Sequence, residues 1–375
     1  MQKSYLHDLD IWPDWRKERK AMHISRRQSL ALLANLPLVA LGISSCGGTG
    51  STTTTSSSSN MTLNVGQISN SIAYFPFYVA DQQGFFKKEG LSMPPRPLLG
   101  TGAKVATAVE SGSIDIGGGV ITDAFNMAKV DPTARLIGSL VNGYYIDVIV
   151  SNSMMQQTHL TKSSALADKV KALRGKKIGI TGPGSGTEAL LIYLFKKQGL
   201  NAQRDSVLVN LGSANTAALG ALKAGRVDAL CFFSPLGQQA EAEGVGTILI
   251  SPVRGDVPEI INDIQGAFYT RQSVIDAKGD AVQAFIRAVA LAEGYIHDHP
   301  DKALVLLGSY LKLGQATTRA VFTAMSPVMA SNPQISPQAY DIAAQFHVQA
   351  GLISTAPAYS TLVASSTIKS ALAKL

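Results

Sequence analysis

Cysteine is nearly absent. The 375-residue chain has two, Cys46 and Cys231, too few for a disulfide framework or a cysteine metal site. Cys231 sits in the apolar run Ala229-Leu230-Cys231-Phe232-Phe233 and reads as a buried, unreactive thiol. Charge is also scarce. Asp, Glu, Lys and Arg make up 16% of the chain against 46% hydrophobic residues, a balance that favours a packed core over disorder. Of the net charge of +7, residues 1–45 own +3 (seven Lys/Arg against four Asp/Glu), which leaves +4 thinly spread. With no dense Lys/Arg run beyond residue 45, nucleic-acid binding has little support. Catalytic signatures are missing as well. There is no HExxH, no Gly-x-Ser-x-Gly and no Cys/His pairing. His297 and His299 flank Asp298 before Pro300 and read as solvated; His159 and His347 stand alone.

Long hydrophobic runs are missing too. Leu30–Ile43 is apolar apart from Asn35, Pro37 and Gly42, too short to span a bilayer but the length of a signal-peptide core. Before it, Ser25-Arg26-Arg27-Gln28-Ser29-Leu30 resembles the twin-arginine export motif. After it, Ile43-Ser44-Ser45-Cys46-Gly47 resembles the bacterial lipobox. These resemblances imply a leader over residues 1–45 and an acylated Cys46 that anchors the chain to a membrane. A chance cysteine after a short apolar segment is the plainer alternative. Translation could start at Met1 or at Met22. Gly47 to Asn60 is nearly all Gly, Thr and Ser, a composition expected of a flexible tether reaching roughly 20 Å.

From Thr62 short apolar runs alternate with longer amphipathic ones, the pattern of an α/β fold. Strands are expected at 63–66, 98–99, 114–117, 134–141 and 146–151, and helices at 78–86 and 103–111. A second block follows, with strands at 177–180, 207–210, 228–233 and 247–250 and helices at 188–198 and 216–224. Beyond Ala281 the chain reads as mostly helical. The blocks rhyme. Ala106 to Asp115 parallels Gly220 to Asp228: in each a helix ends at Gly, and a strand opens at Asp soon after. Two similar α/β lobes with a ligand cleft between them follow from this.

Ligands of such sheets bind beyond the carboxyl ends of strands, where helix N-termini offer free N–H groups. Three glycine-rich segments have that placement: Gly182 to Thr187, Gly100-Thr101-Gly102, and Gly117 to Thr122. Each is also compatible with an ordinary strand-to-helix turn. A phosphate-binding loop fits poorly, because no third Gly and no Lys-Ser/Thr pair completes one. Asp123 and Glu188 sit at expected helix starts, where a carboxylate complements the helix dipole. If either points into the cleft, a bare dianion is disfavoured and an amine-bearing ligand gains ground.

Several pieces in order resemble the nitrate/sulfonate/taurine-type periplasmic binding proteins, a family that includes binders of thiamine-pyrimidine precursors. They are Phe75-Pro76-Phe77-Tyr78-Val79-Ala80, Gly84 to Leu91, Ala108 to Gly117, Leu173 to Ile180, Gly184-Ser185-Gly186-Thr187 and Ala221 to Ala229. The resemblance implies a two-lobed, type II binding-protein fold with a helical C-terminal extension. Lobe 1 would cover 61–150, lobe 2 would cover 151–265, and 266–375 would return to lobe 1. It implies a monomer that captures a small anion of the sulfonate, nitrate or taurine type and delivers it to an ABC transporter permease, with no cofactor, no metal and no catalytic residue. Expected ligand contacts are Ser69, Asn70, Tyr74, Thr101, Gly102, Thr122, Asn142, Tyr145, Ser185, Gly186, Thr187, Asn215 and Ser234. Ser234-Pro235 departs from relatives that carry an acidic or aromatic residue before Pro. Alternatives are a pyrimidine or aromatic-acid binder, or an enzyme on the same fold. One enzyme family with this fold makes a thiamine pyrimidine from its own active-site His, but its Cys-rich motif is absent.

Overall fold

A computed structural model describes residues 61–375. The leader, Cys46 and the stretch to Asn60 lie outside the described residues. The strands are β1 (Met61–Thr62), β2 (Val65–Gln67), β3 (Leu91–Ser92), β4 (Ile116–Val120), β5 (Ala134–Val141), β6 (Ile146–Ser151), β7 (Lys177–Ile180), β8 (Val207–Asn210), β9 (Ala229–Phe233), β10 (Gly246–Ile250) and β11 (Gly266–Arg271). They form two main sheets, ordered β2-β4-β11-β5 and β10-β6-β9-β7-β8, and a small β1-β3 pair.

Each main sheet takes one strand from a chain crossing. β6 arrives from the first sheet and runs antiparallel to β9 and β10. β11 arrives from the second and runs antiparallel to β4 and β5. The crossings are residues 142–145 and 251–265. The expected lobe boundary at 150/151 therefore moves to the first crossing: Ile146–Ser151 pairs within the second lobe, not beside β5. Another expectation is replaced at 98–99, where only an isolated bridge of Leu98 to Gln67 forms. The early helix runs Phe75–Gln82, and Gly84, at φ 70°, separates it from a short turn at Phe85–Lys88.

The rhyme between the halves has a physical counterpart. Gly112 and Gly225 both take left-handed φ (76° and 65°), ending the helices Gly102–Glu110 and Asn215–Lys223. In the first lobe Asp115 Oδ2 accepts the Asn64 N–H at 2.8 Å; in the second, Asp228 Oδ2 accepts the Lys177 N–H at 2.8 Å. Those N–H groups lie where the neighbouring parallel strands, β2 and β7, begin. A carboxylate there satisfies a backbone donor that the ladder leaves unpaired.

Gly117, Gly118 and Gly119 do not form the expected turn. They lie inside β4, which is wholly buried. A Cβ on them would fall within 3 Å of Val105, Phe77 and Tyr269 respectively. The glycines are there so that aromatic side chains can lie directly on the backbone.

The C-terminal helices complete the first lobe. Helix Gln272–Asp298 brings Phe285 against Phe77 (5.4 Å), Phe86 (5.3 Å) and Phe268 (5.6 Å between ring centres). Phe268 sits opposite Gly138 in the β11–β5 ladder, and a Cβ at Gly138 would overlap the Cζ edge of its ring. The ring cannot retreat, because Phe77 and Phe285 hold it from other sides. Gly138→Ala is expected to cost about 3 kcal/mol, read as a lowered urea midpoint with an unchanged slope.

Candidate functional site

The carboxyl ends of β4 and β7 meet between the lobes. Around them lies a cavity lined from one side by Ile68, Ser71, Tyr74, Gly102, Val120 and Asp123, and from the other by Thr181, Ser185, Gly186, Thr187 and Phe233, with Tyr145 and Ile146 at the crossing. Its volume is about 30 Å³, room for one or two waters. A ligand of several heavy atoms therefore needs the walls to part. Larger hollows occur elsewhere, but this one draws on both lobes and on the helix starts.

The glycine loops face each other here. Thr101 caps helix Gly102–Glu110 by accepting from Lys104 N. Ser185 caps helix Gly186–Lys197 by accepting from Glu188 N. Thr187 Oγ1 accepts the Thr181 N–H at 3.0 Å and shares hydroxyl bonds with Thr181 (2.9 Å) and Ser185 (2.7 Å). The loop is thus held by its own hydrogen bonds. Asn126 Nδ2 of the first lobe donates to Gly184 O of the second (3.1 Å), Lys196 Nζ of the second donates to Gln349 O (2.9 Å), and the Tyr144 hydroxyl of the crossing donates to Gly186 O (2.6 Å).

Asp123 is the one carboxylate on this cavity and is 4% exposed. Its Oδ2 accepts the Val120 N–H at 2.9 Å. Its Oδ1 lies so close to Gly102 that a Cβ there would overlap it. Burial pushes the Asp123 carboxyl up to about 7, partly offset by the Val120 bond. Glu188 behaves differently. It turns back on its own helix start, accepting from Gly184 N (2.6 Å) and Gln203 Nε2 (3.0 Å), and does not line the cavity.

Of the expected contacts, the structure places Tyr74, Gly102, Tyr145, Ser185, Gly186 and Thr187 on the cavity. The others lie off it. Ser69 and Asn70 are displaced by Ile68 and Ser71; Asn70 is exposed and accepts from Gln67 Nε2. Thr101 serves its helix. Thr122 points behind the floor, 2.7 Å from His347 Nε2. His347 is fully buried, and its Nδ1 must donate to Ala343 O (2.7 Å), so Nε2 accepts from Thr122. Burial pushes that imidazole down to about 4 and keeps it neutral. His347 is therefore not the isolated histidine that its sequence position suggests. Asn142 is exposed and lines a groove with residues 331–369. Asn215 starts a second-lobe helix away from the cavity. Ser234 donates to Gln238 Oε1 (3.1 Å), one residue past the cavity-lining Phe233. Cys231 is buried, and burial pushes its thiol up.

Two α/β lobes, two chain crossings and a shared cavity at strand and helix ends define a two-lobed binding-protein fold. A model described as the NMT1-like family matches residues 57–307, and the chain belongs to that family. The putative binding protein YtlA of Bacillus subtilis (strain 168) is 26% identical over 252 residues, covering 64% of this chain and 67% of YtlA. Solved structures that share the fold include two binding proteins. The alkanesulfonate-binding protein SsuA of Xanthomonas axonopodis pv. citri, bound to MOPS, has TM-score 0.64 and 20% identity, covering 81% of this chain and 98% of its own. The periplasmic nitrate-binding protein NrtA of Synechocystis PCC 6803 has TM-score 0.63 and 14% identity, covering 84% and 89%.

Proposed function

We propose that this protein is an exported solute-binding lipoprotein, anchored at Cys46, that closes its lobes on a small ligand and delivers it to the permease of an ABC importer. Support comes from the family, from the binding proteins among its relatives, and from a leader that resembles a lipoprotein signal. No helix of the described residues is long and apolar enough to cross a membrane, so attachment would fall to the acylated cysteine.

The ligand class turns on Asp123. The N-termini of helices Gly102–Glu110 and Gly186–Lys197 favour an anionic or carbonyl group. A buried carboxylate beside them repels a bare anion and calls for a donor. The ligand that answers both is a compact molecule carrying an ammonium or ring-amino group next to an acceptor: a taurine-like zwitterion or an aminopyrimidine. Tyr74 and Tyr145 would form its flat walls. Nitrate and simple alkylsulfonates lack the donor.

Thermal-shift measurements with taurine, an aminopyrimidine, methanesulfonate and nitrate test this. A ligand of dissociation constant Kd stabilises by RT ln(1 + [L]/Kd). Amine-bearing ligands are expected to raise Tm and to be recovered unchanged. Equal stabilisation by nitrate or methanesulfonate would remove the role given to Asp123, and a converted product would favour an enzyme.

A further inference from the structure

A second hollow, of about 300 Å³, lies where the second lobe meets helix Gln315–Met325. Asp147 of β6, Ser251 and Arg254 line one side of it, and Ile248, Val253 and Met325 are apolar walls. Tyr145 borders both this hollow and the central cavity.

The charges around it are paired off, except for one. Glu241 pairs with Lys162 at 2.7 Å. Asp256 takes Arg254 at 2.6 Å and Lys169 at 3.5 Å. The remaining Arg254 donors go to Ile248 O (3.4 Å) and Leu249 O (3.1 Å). Asp147, 3% exposed, makes no salt bridge among the described residues. Burial pushes its carboxyl up to about 7, partly offset by the Ser251 hydroxyl and by the more distant Arg254. A buried carboxylate without a cation is costly to ionise unless a positive group reaches it.

We propose that this hollow is a second binding site for a primary ammonium carried on a small apolar body, with the ammonium on Asp147 and the body against Ile248, Val253, Met325 and the Tyr145 ring. The volume lies at the lower end for small-molecule pockets. The mixed wall suits an amphiphilic amine: its one cation, Arg254, is already held by Asp256, so an anion would meet the carboxylate of Asp147 with no free cation to balance it. Because Tyr145 is common to both cavities and its hydroxyl lies beside Ser71 of the first lobe, an occupant here would press on the residue that also lines the central cleft. The proposal stands apart from the ligand class assigned to Asp123.

The test is isothermal titration of the chain with 2-phenylethylamine, 2-phenylethanol and 3-phenylpropionate, repeated with Asp147→Asn and Asp123→Asn. The amine is expected to bind in the micromolar to millimolar range, and the neutral alcohol about tenfold weaker or not at all. The Asp147→Asn variant should lose about tenfold in amine affinity, whereas Asp123→Asn keeps it. Equal binding of amine and alcohol, retained affinity in Asp147→Asn, or no amine binding would overturn the proposal. So would loss only in Asp123→Asn, which would move the amine to the central cleft. Should Asp147→Asn fold poorly by circular dichroism, the amine-to-alcohol comparison in Asp123→Asn still decides.

Discussion

Asp123→Asn is expected to weaken binding of taurine, or of whichever amine the thermal-shift series selects, by about a hundredfold. The estimate follows from truncating one partner of a buried charge pair, which costs about 2–5 kcal/mol. Asn keeps the shape and can still accept the Val120 N–H, so the loop should stay in place. Affinity in the unaltered protein should also depend on pH. The bound ammonium needs the ionised carboxylate, whose value lies near 7 in the ligand-free fold. Binding should therefore strengthen as pH rises through that region and level off above it. Titrations from pH 5 to 9 would check this, and a flat profile would exclude Asp123 as the partner. Stability of the ligand-free chain should run the other way. The folded value stands above the unfolded one of 3.8. Between them the folded chain holds a proton that the unfolded chain has released, so stability falls as pH rises from about 4 to about 7. Asp123→Asn removes that slope, making the variant a better folder above pH 7 and a poorer binder.

Glu293→Met should raise stability by about 2–3 kcal/mol at pH 8. Glu293 lies on helix Gln272–Asp298 with no exposed surface, and neither carboxylate oxygen has a hydrogen-bond partner among the described residues. Burial alone pushes its carboxyl well up. Folding above the ordinary glutamate range must then either take up a proton or strand a charge, a penalty that grows with pH until the folded group ionises. Met fills nearly the same space without that demand. Urea unfolding at pH 4.5 and 8 checks it: the gain should be small at the lower pH and large at the higher. An equal gain at both would mean that packing, not ionisation, drives it.

Much of the architecture was legible because it is written in local chemistry. A helix-ending glycine followed by an aspartate recurs at Gly112/Asp115 and Gly225/Asp228, and both pairs perform the same backbone service. The loops Gly100–Gly102 and Gly184–Thr187 were legible for the same reason. What was not legible depends on distant packing. The β4 glycines look like a turn until Tyr269 and Phe77 are laid upon them. Thr122 looks like a ligand hydroxyl until His347, 225 residues later, claims it. Asp123 and Glu188 occupy similar places at helix starts. Only the tertiary arrangement, with Gly102 against one and Gln203 bonded to the other, separates the carboxylate on the cavity from the one that serves its own helix. Ser69 and Asn70 missed because sequence spacing does not fix which way a chain turns after a strand.

The two crossings differ in slack. Residues 142–145 run directly from β5 into β6, while 251–265 take a longer path. A strap that short cannot let one lobe slide over the other, so parting must be a swing about it. Travel then grows with distance from the strap. With closure as proposed, Tyr144 and Tyr145 would be the nearly still point against which a guest is aligned, and the outer rim would do the moving.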